Sequence, residues 1–175
     1  MDEISRIKEA YAKRKAMSKK GFCTYFSPSV LFESQQRERS IIDAIKRNYN
    51  TELSDKKILD IGCGGGGPLR DFIRYGARPE NMYGIDLLPE RIEIAKTLSP
   101  NINFKCGDAS NLPYEDESFD IVIQIVVFTS ILDKDMRKNI ASEMLRVIKP
   151  KGIILWIDFF VNNPKNPDVR GARKK

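Results

Sequence analysis

ILDIGCGGGGPLRDF, residues 58–72, places five glycines within the six positions from Gly62 to Gly67 and then continues with Pro68. KILDI, residues 57–61, is a short apolar stretch of strand type. Pro68 to Tyr75 has helical apolar spacing, and proline suits the first turn of a helix. The glycine run therefore lies where a strand turns into a helix. A tight turn needs one or two glycines. Five together point to a backbone that a ligand approaches closely, because glycine reaches unusual angles and carries no Cβ. The helix start behind it offers N–H groups with no intrahelical partner.

Outward from this stretch the pattern alternates. NMYGID (81–86), INFKC (102–106), FDIVIQIVVF (119–128) and GIILWIDFF (152–160) read as strands. Pro89 to Leu98 and Asp133 to Ile148 read as helices between them. Strands alternating with helices predict an α/β fold, a Rossmann-like doubly wound parallel sheet. The fourth and fifth strands are almost wholly apolar, as expected of strands covered on both faces. Upstream, Ile4, Ile7, Ala10 and Tyr11 recur at helical spacing, GFCTYFSPS breaks the pattern, and Ser29 to Tyr49 reads as a second helix. The expected organisation is an N-terminal helical cap or lid over 1–52, a ligand-binding core over 53–160 and an irregular tail over 161–175.

A chain of 175 residues with 41% hydrophobic residues can bury a real core. Its net charge of +6 is partly terminal: Lys13, Arg14, Lys15, Lys19 and Lys20 at the start, Arg170, Arg173, Lys174 and Lys175 at the end. Solvated termini account for this, and no RNA-binding fingerprint accompanies them, so nucleic acid is not the expected partner. No segment has the apolar length of a membrane span or a signal peptide. Cys23, Cys63 and Cys106 show no CxxC spacing and read as reduced thiols of a cytoplasmic protein. The chain has no histidine. That excludes a Ser-His-Asp triad and any zinc site that needs imidazole, and no metal is expected.

The acids around the turn narrow the ligand. Gly62, Gly64 and Gly67 satisfy GxGxxG, a weak dinucleotide signal by itself. Asp60, however, directly precedes the turn, and a carboxylate there would repel a pyrophosphate and suit a cation. Asp86 ends the second strand, where it can accept from both hydroxyls of a ribose. Asp108 follows the third strand, where it can accept from an exocyclic amine. A lone Asp at a strand end is commonly a cap or turn residue. Three at successive strand ends suit a cationic ligand with a ribose and an amino-bearing base. S-adenosylmethionine fits this description.

LDIGCGGG, GIDLLPERIEIAK, CGDASNLPYEDESFDIVI and EMLRVIKPKGIILWIDF resemble, in order and spacing, the motifs of class I S-adenosylmethionine-dependent methyltransferases of the methyltransferase-11 type. The resemblance covers Leu53 to Phe160. It implies a sheet ordered 3-2-1-4-5-7-6, with the turn at Gly62, Cys63 and Gly64 carrying the methionine part. It matches Asp60 to the ammonium-supporting acid, Asp86 to the ribose acid with Leu87 against adenine, Asp108 and Ala109 to the adenine-amine pair, and Gln124 to a position facing the methionine moiety.

Two departures stand out. Many relatives carry histidine after strand 4, where this chain has Phe128, Thr129 and Ser130. After the fifth strand only VNNPKNPDVRGARKK remains, too short and too rich in Pro and Asn for strands 6 and 7. The expected sheet is therefore 3-2-1-4-5, with strand 5 as an apolar edge inviting a homodimer or an exchanged segment. The expected activity is methyl transfer from S-adenosylmethionine to O or N of a small acceptor. A nicotinamide oxidoreductase, an RNA methyltransferase and a truncated, non-catalytic cofactor-binding module are the alternatives. Tyr11, Tyr25 and Phe26 of the cap, with Phe128, are the acceptor-side candidates; packing of the cap is the plainer account of the aromatics. No catalytic base is assignable.

Overall fold

The computed structural model describes residues 2–18 and 26–172, which divide into two compact units, 1–51 and 52–175. The first unit holds helices α1 (Glu3–Ser18) and α2 (Pro28–Tyr49). Asp2 starts α1 by accepting the Ser5 N–H at 2.9 Å, and Ile7 and Ala10, one turn apart, are buried. Pro28 occupies the first turn of α2, Ile41 and Ile45 are its buried stripe, and Asn50, at φ 45°, stops it in the left-handed region.

The second unit is built on β1 (Ile58–Ile61), β2 (Met82–Asp86), β3 (Asn103–Cys106), β4 (Phe119–Ile125) and β5 (Ile148–Ile157). Helices α3 (Gly67–Arg74), α4 (Pro89–Leu98) and α5 (Lys134–Val147) follow β1, β2 and β4, and a loop over 107–118 joins β3 to β4. The order is β3-β2-β1-β4-β5, and every pairing is parallel. This is the order read from the sequence. β1 lies at the centre: Asp60 sits between Gly84 of β2 and Ile123 of β4, and all four β1 residues are buried. A strand covered on both faces has to be apolar throughout, so the buried Asp60 is the exception that marks a site.

Boundaries differ from expectation chiefly at β4 and at both ends of β5. β4 ends at Ile125 rather than at Phe128, because Val126 turns to φ 61° and leaves the ladder. β5 begins at Ile148, and its pairing with β4 shifts between Phe119 and Ile121 to take up the Lys-Pro-Lys-Gly that follows Ile148. Pro150 is tolerated there because β5 is an edge strand. Phe159 and Phe160 fall beyond β5 and are exposed, and Trp156 on the edge is 46% exposed.

Two devices hold the loops above the sheet. Asp133 caps α5 by accepting the Met136 N–H at 2.6 Å. Arg146 of α5 donates to the Leu112 and Tyr114 carbonyls and pairs with Glu143 and Asp116, while Glu143 accepts the Leu112 N–H at 2.6 Å. These contacts fasten the segment that follows Asp108. Among the described residues no helix is long and apolar enough to cross a membrane.

Candidate functional site

The glycine turn hangs from the end of β2: the Gly62 and Cys63 N–H groups both donate to the Ile85 carbonyl, at 2.8 and 3.1 Å. Gly62, Gly64 and Gly66 have φ of 67°, 54° and 75°. Side chains rarely adopt such angles. At Gly62 space is also closed, since a Cβ would lie 2.5 Å from Cγ2 of Val127. Gly65 is under no such demand: a Cβ there would meet only Ile94, at an ordinary 3.5 Å. The run of five therefore contains a required set and a surplus.

Two acids converge on this turn. Asp86, 6% exposed, accepts the Gly64 N–H through Oδ2 at 2.8 Å and the Leu88 N–H through Oδ1 at 2.9 Å. It thereby brackets the glycine turn to the start of α4. Asp60, 1% exposed, has an Oδ2 with no hydrogen-bond partner. Burial, and then the charge of Asp86, raise its carboxyl well above the ordinary carboxylate range. Burial, reinforced by the same two carboxylates, drives the Cys63 thiol far up, so it is no nucleophile. Arg91 of α4 supplies opposite charge, with Nη1 3.8 Å from Asp86 Oδ2. Its Nη2 lies 2.7 Å from where a Gly64 Cβ would stand. Arg91 escaped the sequence reading because an arginine in the first turn of an amphipathic helix carries no local signal.

Asp108 and Ala109 are half-buried at the end of β3. Asp108 Oδ1 accepts the Ser110 N–H at 2.9 Å, the turn-forming role open to any Asp at a strand end. Leu87, between Asp86 and Leu88, is half-buried.

Gln124 is fully buried at the end of β4. Its Oε1 accepts the Val127 N–H at 3.0 Å and its Nε2 donates to Asp158 at 2.6 Å. A short 3₁₀ turn, Phe128–Ser130, follows. Phe128 is buried with its ring edge-on to Trp156 at 5.5 Å, so within this unit it packs against β5. Tyr11 and Phe26 belong to the first unit; Tyr11 is half-buried beneath the Arg14 guanidinium at 4.8 Å, and Phe26 is exposed. Tyr25 lies outside the described residues.

A central acid before a left-handed glycine turn, with a second acid one strand away, is the geometry on which the comparisons bear. The model of the family described as "Methyltransferase domain" matches residues 59–156. The chain belongs to that methyltransferase family. The match runs from Leu59 of β1 through the glycine turn to Trp156 of β5, so Asp60, the glycine turn, Asp86, Asp108 and Gln124 all lie inside it. Among similar proteins, phthiotriol/phenolphthiotriol dimycocerosates methyltransferase 1 of Mycobacterium ulcerans is 34% identical over 122 residues, 65% of this chain and 41% of that protein. Norajmaline N-methyltransferase of Rauvolfia serpentina is 32% identical over 168 residues, 89% of this chain and 56% of that protein. A solved SAM-dependent methyltransferase from Methanosarcina mazei is 34% identical with a TM-score of 0.57, covering 65% of this chain and 57% of that one. The chain thus spans about half the length of the curated relatives it matches. The cofactor of the methyltransferase family is S-adenosylmethionine, and the unpaired Asp60 Oδ2 above a side-chain-free turn fits its cationic end.

Proposed function

We propose that this domain binds S-adenosylmethionine at the carboxyl ends of β1 to β4 and directs methyl transfer to O or N of a small-molecule acceptor. The observation that carries the reading is Asp60. A buried carboxylate oxygen without a partner calls for a cation. Asp60 with Gly62, Cys63 and Gly64 would hold the methionine end. Asp86 keeps lone-pair sites beyond those facing Gly64 and Leu88, enough to accept from a ribose, with Leu87 beside the base. Asp108 and Ala109 would meet the adenine amine, and the Gln124 backbone the methionine end.

The bound cofactor supplies a methyl group already activated by its sulfonium. The chain's own residues then have to orient the acceptor and exclude water, which can provide much of the rate. No side chain is assigned as base. Tyr11, Tyr25, Phe26 and Phe128 stay as the proposed acceptor side. A small acceptor is supported by relatives whose names specify a lipid and an alkaloid. The free thiols of Cys63 and Cys106 fit a cytoplasmic setting.

Titration calorimetry with S-adenosylhomocysteine and, separately, NAD tests the reading. Saturable binding of the first and none of the second is expected. Binding of NAD alone would replace this proposal with a nicotinamide-dependent oxidoreductase.

A further inference from the structure

Asp158, one residue past β5, is a carboxylate that accepts four hydrogen bonds. Its Oδ1 accepts from the Thr129 N–H at 2.9 Å and from the Thr129 hydroxyl. Its Oδ2 accepts from Gln124 Nε2 at 2.6 Å and from Trp156 Nε1 at 2.7 Å. Four donors match the roughly four lone-pair sites of a carboxylate. Asp158 therefore has no acceptor capacity to spare for taking a proton from a substrate; what it does, it does through the groups it holds.

Those groups are the turn that leaves β4. Val126 has φ 61°, an unfavourable region for a β-branched residue, and such a residue persists only where its surroundings over-determine it. The surroundings here are specific. The Val126 N–H donates to the Ile157 carbonyl at 2.7 Å, and the Val127 N–H to Gln124 Oε1 at 3.0 Å. The Thr129 N–H is on Asp158, and the Thr129 carbonyl accepts the Arg170 N–H at 2.9 Å. Gln124 is itself oriented by Asp158, so the carboxylate fixes both ends of the turn. The product of this arrangement is the place of Val127, whose Cγ2 lies against the empty Cβ position of Gly62.

We propose that Asp158 is a positioning residue of the cofactor pocket: by locking residues 126–129 it holds Val127 against the glycine turn and so sets the wall opposite Asp86. This rests on the cofactor reading above. Nothing in the sequence announced it, since WIDFF reads as continuous strand.

The test uses the full chain and S-adenosylhomocysteine as probe, with calorimetric affinity as the readout. Trp156, the single tryptophan, serves as a fluorescent reporter of the Asp158 contact. Asp158→Ala is expected to bind at least tenfold more weakly while keeping its far-ultraviolet dichroism, with an altered Trp156 emission. Thr129→Ser, which keeps both donors, should stay within twofold of the parent. Thr129→Val, which removes only the hydroxyl, should weaken binding at least threefold. A folded Asp158→Ala with affinity within twofold of the parent would overturn the proposal. Should Asp158→Ala not fold, the Thr129 pair decides by itself: equal binding of Ser and Val variants overturns it. If the parent chain does not bind the probe, the cofactor reading fails. Amide exchange at Val127 and Thr129 in the Thr129→Val variant then judges the positioning role: faster exchange supports it, and unchanged exchange overturns it.

Discussion

Asp86→Ala is the sharpest single perturbation, because it removes an acceptor from two buried backbone donors at once. The Gly64 N–H is 2.8 Å and the Leu88 N–H 2.9 Å from its carboxylate, in a residue 6% exposed. Hydrogen bonds to a charged group contribute about 1.5–3 kcal/mol each, so the two together contribute about 3 kcal/mol at the low end. Loss of the like charge beside Asp60 offsets part of this. Domains of this kind have total stabilities of about 5–15 kcal/mol, so the variant should remain folded but weakened. With a urea slope of about 2 kcal/mol/M, a 3 kcal/mol loss lowers the midpoint by about 1.5 M. Asp86→Asn keeps one acceptor oxygen and should fall between parent and Ala. The assay is urea unfolding followed by dichroism, paired with calorimetry of S-adenosylhomocysteine at zero denaturant, where at least tenfold weaker binding is expected of the Ala variant. An unfolding free energy within about 0.5 kcal/mol of the parent, below what even one such bond contributes, would refute the backbone-bracket argument.

Gly62→Val places a β-branched residue at φ 67° and a Cβ 2.5 Å from Val127; it should abolish binding of S-adenosylhomocysteine, and normal binding by a folded variant would show that the turn is not the ligand cradle. Asp60 is protonated in the folded chain over a pH range where the unfolded chain has already released that proton, so its contribution to stability declines as pH rises above 3.8 toward its raised value. Asp60→Asn should flatten that slope in pH-dependent urea melts and weaken ligand binding as well; an unchanged slope would mean that Asp60 is not the group responsible. Burial, then Cys63 and Tyr83, push the Tyr114 phenol up to about 12, so its stabilising contribution is complete below the ordinary value of 10 and is lost as pH climbs toward 12. Ultraviolet titration of Tyr114→Phe should lack the latest tyrosine step of the parent. For the open β5 edge, sedimentation should show self-association of the parent and a shift toward monomer in Ile154→Lys; a parent that stays monomeric at high concentration would refute edge pairing.

What could be read from sequence followed from burial. β1, β2 and β4 were visible because strands covered on both faces must be apolar, and an acid such as Asp60 inside one of them could hardly pass unnoticed. Asp86 was visible as an acid at a strand end, but not as a bracket on Gly64, because its partners are backbone N–H groups that no sequence pattern encodes. The turn at Val126 was hidden for the opposite reason. Valine favours strands, so VVF extends the apparent β4, and only tertiary contacts hold it at positive φ. Asp158 was hidden with it, since its donors come from Gln124, Thr129 and Trp156, which lie on three different segments. At β5 the lysines and Pro150 read as a loop because a strand is recognised by its apolar run, whereas Ile148 joins the sheet through its pairing with Phe119 across a register shift.

The sheet also dictates an order of assembly. β1, β2 and β3 follow one another in the chain and pair as neighbours, as do β4 and β5. Only the β1–β4 pairing, Ile58 with Ile121 through Ile61 with Gln124, joins the two groups. During synthesis the first three strands emerge before β4 exists, so the central strand waits with one side unpaired. Closing that seam must repay the largest loop-closure entropy in the sheet, which makes it the expected slow step of folding. Gly62 and Val127 face each other across this seam, one from each group. A ligand seated between them would span the last junction to form, and should therefore slow its reopening more than that of any other strand pair.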